Sequence, residues 1–184
     1  MPKTDNKRQV ILDVALRLFA KHGYDATPIS RIAKVAGVSQ GLMYNFFAGK
    51  KELLRAMIVE GAKDIEESMK AYAAMEDASQ AIEVHVTETI RIIKKKKEFW
   101  RLLHALRLQG SVLEDVEDLF KEIVSTVTMV FEKVFRDMGI KNPKLEAQLF
   151  LTQIDGMVIM YLQNEKFPIR QLGKQLINRY TKNN

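Results

Sequence analysis

The chain has 184 residues, 47% apolar and 28% charged, the balance of an ordinary globular protein long enough for one large domain or two small ones. It has no cysteine, which excludes disulfides and thiolate metal sites and suits a reducing cytoplasm. The net charge of +6 is unevenly placed: residues 1–54 hold nine Lys/Arg against four Asp/Glu, and residues 55–184 hold twenty against nineteen, so the first third points to a polyanionic partner, either nucleic acid or an anionic membrane surface.

Helical periodicity dominates from end to end, and convincing strand alternation is absent. The polar, basic opening from Met1 to Gln9, and the interruption of the following apolar positions by Asp13 and Arg17, do not form a signal peptide. A first helix is predicted from about Asn6 to His22, with Ile11, Ala15, Leu18 and Phe19 as its buried stripe and Gly23 as its stop. Thr27 is placed to cap a second helix, with Pro28 in its first turn and Ile29, Ile32, Ala33 and Ala36 facing inward. Gly37 closes it. Ser39 then caps a third helix that turns Met43 and Phe47 inward. After Gly49 a long fourth helix is predicted over Lys50–Met75. Further helices are predicted near Ser79–Lys95, Lys97–Leu108, Val112–Met138, Pro143–Asn164 and Ile169–Thr181, with Gly110, Gly139 and Pro168 between them.

Three helices at the start, the second and third joined by about four residues containing Gly, form a helix-turn-helix pattern. A recognition helix reads the major groove with its first turns, which here hold Gln40, Gly41, Leu42, Tyr44 and Asn45. Gln and Asn pair bidentately with adenine, and an apolar side chain meets a thymine methyl. The stretch TPISRIAKVAGVSQGLMYNFFAGKKELL resembles the DNA-binding signature of the TetR family of bacterial repressors. The matching positions are Thr27, Ile32-Ala33, Ala36-Gly37-Val38-Ser39, Gly41, Tyr44, Phe47, Lys50 and Leu53, and the likeness is strong over about residues 6–55. Leu42 departs from the small or hydroxyl residue frequent in the family, and Gly49 from a capping Ser, Asn or Asp.

The resemblance implies an all-α fold: a DNA-binding domain over residues 1–49, joined by a long helix to a helical effector-binding and dimerisation domain over residues 50–184. It implies DNA contacts from Thr27, Arg31, Ser39, Gln40, Gly41, Leu42, Tyr44, Asn45 and Lys50, with Lys34 and Lys51 as lesser ones. It also implies a homodimer on a pseudo-palindromic operator and a small-molecule effector among the middle helices.

For the effector, Trp100, Leu103, His104, Arg107, Met129, Met157 and Tyr161 combine apolar walls with a few polar groups; the alternative for each is ordinary helical core. The segment Leu149–Leu162, with an Asp155-Gly156 step, is apolar nearly all round and needs cover on both sides, its own core on one and a second subunit on the other. Because it contains Thr152, Gln153 and Asp155, it is too short and polar to span a bilayer, so a cytoplasmic location without membrane contact is expected. The Lys94–Lys97 run is taken as a solvated helix C-terminus. His22, His85 and His104 stand at no ligand spacing, so no metal site is predicted; no catalytic set stands out, and no cofactor is expected. A rival from another class remains: a helical ligand-binding or interaction protein whose helix-turn-helix makes protein contacts only.

Overall fold

A computed structural model describes residues 2–73, 75, 77–107 and 110–181. The described residues form nine helices: α1 Pro2–His22, α2 Ile29–Ala36, α3 Gln40–Phe46, α4 Lys50–Ala73, α5 Ala78–Lys95, α6 Lys97–Leu106, α7 Gly110–Asp137, α8 Pro143–Gln163 and α9 Ile169–Thr181. The expected fold class holds: an all-α chain with an N-terminal helix-turn-helix and a helical C-terminal part. Helix ends agree with the periodicity to within a few residues. The predicted last turns of α4 and α6 reach Ala74 and Leu108, which lie outside the described residues.

Two corrections concern caps. Thr27 is not the cap of α2: Pro28 occupies that position, and its carbonyl accepts the first helical bonds from Arg31 and Ile32. Asn142 precedes Pro143 as expected but makes no side-chain capping bond. By contrast Asp77, not singled out in the sequence, caps α5, its Oδ1 accepting from the Ser79 and Gln80 N–H groups at 2.8 and 3.3 Å.

The chain divides into two compact units, one of residues 1–62 and 98–117, the other of residues 63–97 and 118–184. In the first, Ile11, Ala15 and Phe19 of α1 are buried with Ile32 and Ala33 of α2, Met43 of α3, Phe47, and Leu53, Leu54 and Ile58 of α4. Gly61 lies directly against Phe99 of α6; a methyl there would run into the buried ring. That close approach explains a glycine in mid-helix, where it otherwise costs about 1 kcal/mol relative to Ala.

In the second unit α5, α8 and α9 pack together. Gly173 lets α9 approach α5 closely: a Cβ there would lie 2.7 Å from Ile90 Cδ1. An aromatic cluster of Phe131, Phe135, Phe150 and Tyr180 fills the interior, with the His85 ring 4.5 Å from Phe131 and 5.9 Å from Phe150. The Tyr180 hydroxyl donates to Glu146 Oε1 at 2.6 Å, tying α9 to α8.

Burial in this apolar setting depresses the His85 pKa from 6.5 to about 3, so the folded chain holds the neutral imidazole. Because the folded value lies below the unfolded one, the stability it supports is complete above pH 6.5 and declines as pH falls toward 3. The full loss is on the order of 5 kcal/mol at 1.36 kcal/mol per pKa unit. Unfolding free energies measured by denaturant titration from pH 7 to 4 should fall steeply for the wild type. His85→Leu should flatten that slope; an unchanged slope would reassign the acid sensitivity to other groups.

Candidate nucleic-acid interface

The turn between α2 and α3 is built from backbone chemistry. Gly37 adopts φ +66°, the left-handed region that costs a side-chain-bearing residue energy. This directs the Val38 N–H to the Ala33 carbonyl at 3.0 Å and the Gly37 N–H to the Lys34 carbonyl at 3.3 Å, closing α2 in a Schellman motif. Ser39 then starts α3: its Oγ accepts from the Leu42 N–H at 3.1 Å, as the sequence indicates.

Anchoring turns one side of α3 in and the other out. Met43 and the following Phe47 are buried, and Arg8 of α1 sits 5.5 Å over the Phe47 ring. Gln40, Gly41, Tyr44 and Asn45 are exposed, Tyr44 by 54%, and Leu42 is half-buried. Gly41 has ordinary helical backbone, and a Cβ on it would meet only Ser39 Oγ, at 4.0 Å. Nothing inside the chain requires glycine there; the room it leaves is on the outer face.

Beside this face a shallow open concavity of about 470 Å³ is lined by Ser30, Arg31, Ala33, Lys34, Val38 and Gln40. Ser30 and Val38 were absent from the sequence-derived site. Ser30, Arg31 and Lys34 share the outer side of α2 by their three- and four-residue spacing, which is the signal that places Ser30 there. Residues 27–51 contain Arg31, Lys34, Lys50 and Lys51 and no carboxylate side chain, so the electrostatic character of the patch is uniformly positive.

Besides Ser39, three of the expected contact residues are engaged within the chain. Thr27 is fully buried, and its hydroxyl donates to the Gly23 carbonyl at 2.7 Å. It fastens the end of α1. Lys50 is half-buried; its ammonium donates to the Asp25 carbonyl at 3.1 Å and lies 4.4 Å from the Tyr24 ring centre. Burial lowers its pKa and Asp25 partly offsets this. The start of α4 is thus pinned to the α1–α2 loop, and Glu52 accepts from the Ala48 N–H in place of a capping residue at Gly49. Arg31 is exposed, and its guanidinium donates to His22 Nε2 at 3.1 Å.

The residues considered for an effector divide between the units. Trp100, Leu103, His104 and Arg107 fall in the first, and Met129, Met157 and Tyr161 in the second. Leu103 is buried, Trp100 and His104 are half-buried with ring centres 6.3 Å apart, and Arg107 is exposed. The Trp100 Nε1 atom is buried and makes no hydrogen bond among the described residues. Met129 is 59% exposed on α7. Met157 is half-buried, and Tyr161 is buried with Lys94 5.5 Å over its ring. Among the described residues no cluster of His, Asp or Glu is suited to a metal ion. No described helix is long and apolar enough to cross a membrane.

Residues 11–57 match the family model described as bacterial regulatory proteins, tetR family. The chain is 28% identical over 190 residues to the uncharacterised HTH-type transcriptional regulator YxaF of Bacillus subtilis, covering 96% of each. Its fold is similar to that of NalD, the secondary repressor of the MexAB-OprM multidrug efflux pump in Pseudomonas aeruginosa, with TM-score 0.81, 18% identity, and coverage of 99% of this chain and 97% of that one. It is also similar to the transcriptional regulator FadR from Bacillus subtilis in complex with stearoyl-CoA, with TM-score 0.79, 19% identity, and coverage of 94% and 96%. At such identities the structural likeness establishes the fold alone.

The buried Thr27 hydroxyl yields a direct test. Thr27→Val removes the donor to the Gly23 carbonyl and should cost about 1–3 kcal/mol of stability. Its affinity for duplex DNA, measured well below its melting temperature, should equal that of wild type. A selective loss of affinity at unchanged stability would show Thr27 to be a phosphate contact.

Proposed function

With the chain belonging, through residues 11–57, to the tetR family of bacterial regulatory proteins, we propose that it is a sequence-specific transcriptional regulator acting as a homodimer, a repressor that a small molecule releases from its operator. Residues 1–49 serve as the DNA-binding domain and residues 50–184 as the effector-binding and dimerisation domain. The carrying observation is the exposure pattern of α3: Met43 inside, Gln40, Gly41, Tyr44 and Asn45 outside, beside the concavity rimmed by Arg31 and Lys34. Base-reading side chains stand at the start of the helix, flanked by cations for phosphates. A rigid seven-residue helix set by a cap on one end and a buried aromatic on the other presents them at a fixed angle.

Dimerisation is supported by α8. Leu145, Leu149, Gly156 and Met160 lie on one side of the helix, and the three large ones are 64%, 52% and 48% exposed. Exposed Leu172 of α9 adds to the apolar surface, and Gly156 permits close approach because nothing within its own chain fills the space of a Cβ. Such a stripe gains free energy when covered, and a second copy of the same face covers it isologously. For the effector, the unsatisfied buried indole N–H of Trp100 is a donor that a ligand's acceptor would satisfy.

Selection of bound duplexes from a random pool tests the DNA reading. A pseudo-palindrome with half-sites roughly 34–36 Å apart is expected. Gln40→Ala should relax base preference at one position per half-site and cost about 1–3 kcal/mol. A pool with no enriched duplex would favour the rival in which the helix-turn-helix makes protein contacts only.

Leu149→Glu and Met160→Glu should each give monomer in analytical ultracentrifugation and weaken operator binding, because a carboxylate would have to be desolvated. Val158 is buried in its own unit. Val158→Glu should therefore unfold the chain rather than separate subunits. Monomeric wild type at micromolar concentration would contradict the assembly.

A further inference from the structure

Two cations rim the concavity on α2, and they are held differently. Lys34 is exposed at its edge, whereas Arg31 is fastened to α1 through Nη2, 3.1 Å from His22 Nε2. A guanidinium carries donors and no acceptor, so the ring nitrogen must accept. That fixes His22 as the neutral imidazole with its proton on Nδ1. One N–H of the planar fork is spent on His22, and the remaining donors stay available along the rim. A long exposed side chain otherwise samples many rotamers and loses that freedom when it meets a phosphate.

We propose that His22 is a positioning residue for phosphate recognition: by accepting one guanidinium N–H, it holds Arg31 at the rim of the α2–α3 concavity in a geometry ready for the DNA backbone. This rests on the DNA-binding reading above and adds a residue from α1 to an interface otherwise drawn from α2 to α4. The charged groups acting on His22 are Arg31 across from it and Lys21 on its own helix, both cations. Together with partial burial, the larger cause, they lower its pKa. The accepting neutral form therefore persists through neutral pH. On acidification it gives way to an imidazolium that cannot accept from Arg31.

The test uses neutral replacements at pH 8, where His22 carries no charge, and a mixed-sequence duplex of about 30 base pairs, since phosphate contacts do not depend on sequence. Affinity is measured by fluorescence anisotropy over a salt series for wild type, His22→Leu, His22→Gln, Arg31→Met and the double variant His22→Leu/Arg31→Met. His22→Leu removes the acceptor and should weaken binding about three- to tenfold, while the slope of log K against log salt becomes shallower by about 0.9, one phosphate contact. His22→Gln restores an acceptor and should recover most of both. In the Arg31→Met background His22→Leu should change nothing. A purely structural role for His22 would shift melting temperature and leave the salt slope intact.

The contact itself is read without DNA by following the His22 ring resonances through a pH titration. Arg31→Met should raise the His22 pKa. Wild type that binds duplex, with His22→Leu matching it in affinity and slope, overturns the positioning role and leaves the DNA reading standing. An equal loss from His22→Leu with and without Arg31 does the same. Wild type that binds no duplex at low salt overturns both.

Discussion

Helices of eight and seven residues are too short to persist by their own hydrogen bonds, so α2 and α3 exist only because they are packed. The constraint is the joint of Ile32 and Ala33 on α1, followed at once by the left-handed Gly37 and the capped start of α3. Everything outward depends on it. If Gly37 could not take φ +66°, Val38 would lose its bond to Ala33 and Ser39 would start the third helix elsewhere. The exposed set from Gln40 to Asn45 would then point in another direction. The direction in which this set points is a property of how a short helix is held, more than of the side chains it carries.

The holding is reinforced by polar contacts that reach across the sequence. Thr27 ties the α1–α2 loop to the end of α1, Lys50 ties the start of α4 to the same loop, and Arg31 reaches back to His22. Each joins elements that local hydrogen bonding leaves independent. The Lys50 and Arg31 contacts lie at the surface and contribute little individually to stability. Their effect is on orientation, because each removes a degree of freedom from the elements it joins.

Much of this was legible in the sequence, and the rest was not for identifiable reasons. Gly37 and Ser39 act through backbone rules that operate within a few residues, so their roles follow from their position in the pattern. Thr27 sits correctly in the motif, but a hydroxyl can face either the coming helix or the preceding one, and only packing decides. The links Lys50–Asp25, His22–Arg31 and Gly61–Phe99 bridge separations that periodicity does not address. Helix α8 shows the same limit. Its all-round apolarity marks a helix covered on more than one side. That Val158 faces inward while Leu149 and Met160 face outward depends on where α5 and α9 lie against it.

The lysine run between α5 and α6 leaves Lys94 and Lys95 exposed in the last turn of α5, as expected of cations at a helix C-terminus, while the fold engages Lys96 and Lys97. Lys94 lies over Tyr161, Lys96 pairs with Asp64 at 3.1 Å, and Lys97 pairs with Glu165 at 2.6 Å, with Lys96 the single residue between the two helices. Four consecutive lysines would be the richest target for trypsin in an unfolded chain, yet a protease must draw a segment into extended form before cutting. Here that means unwinding two helix ends and releasing both ion pairs. Cleavage within residues 94–97 therefore reports the frequency with which the α5–α6 junction opens, and the run serves as a built-in gauge of local unfolding in the native protein.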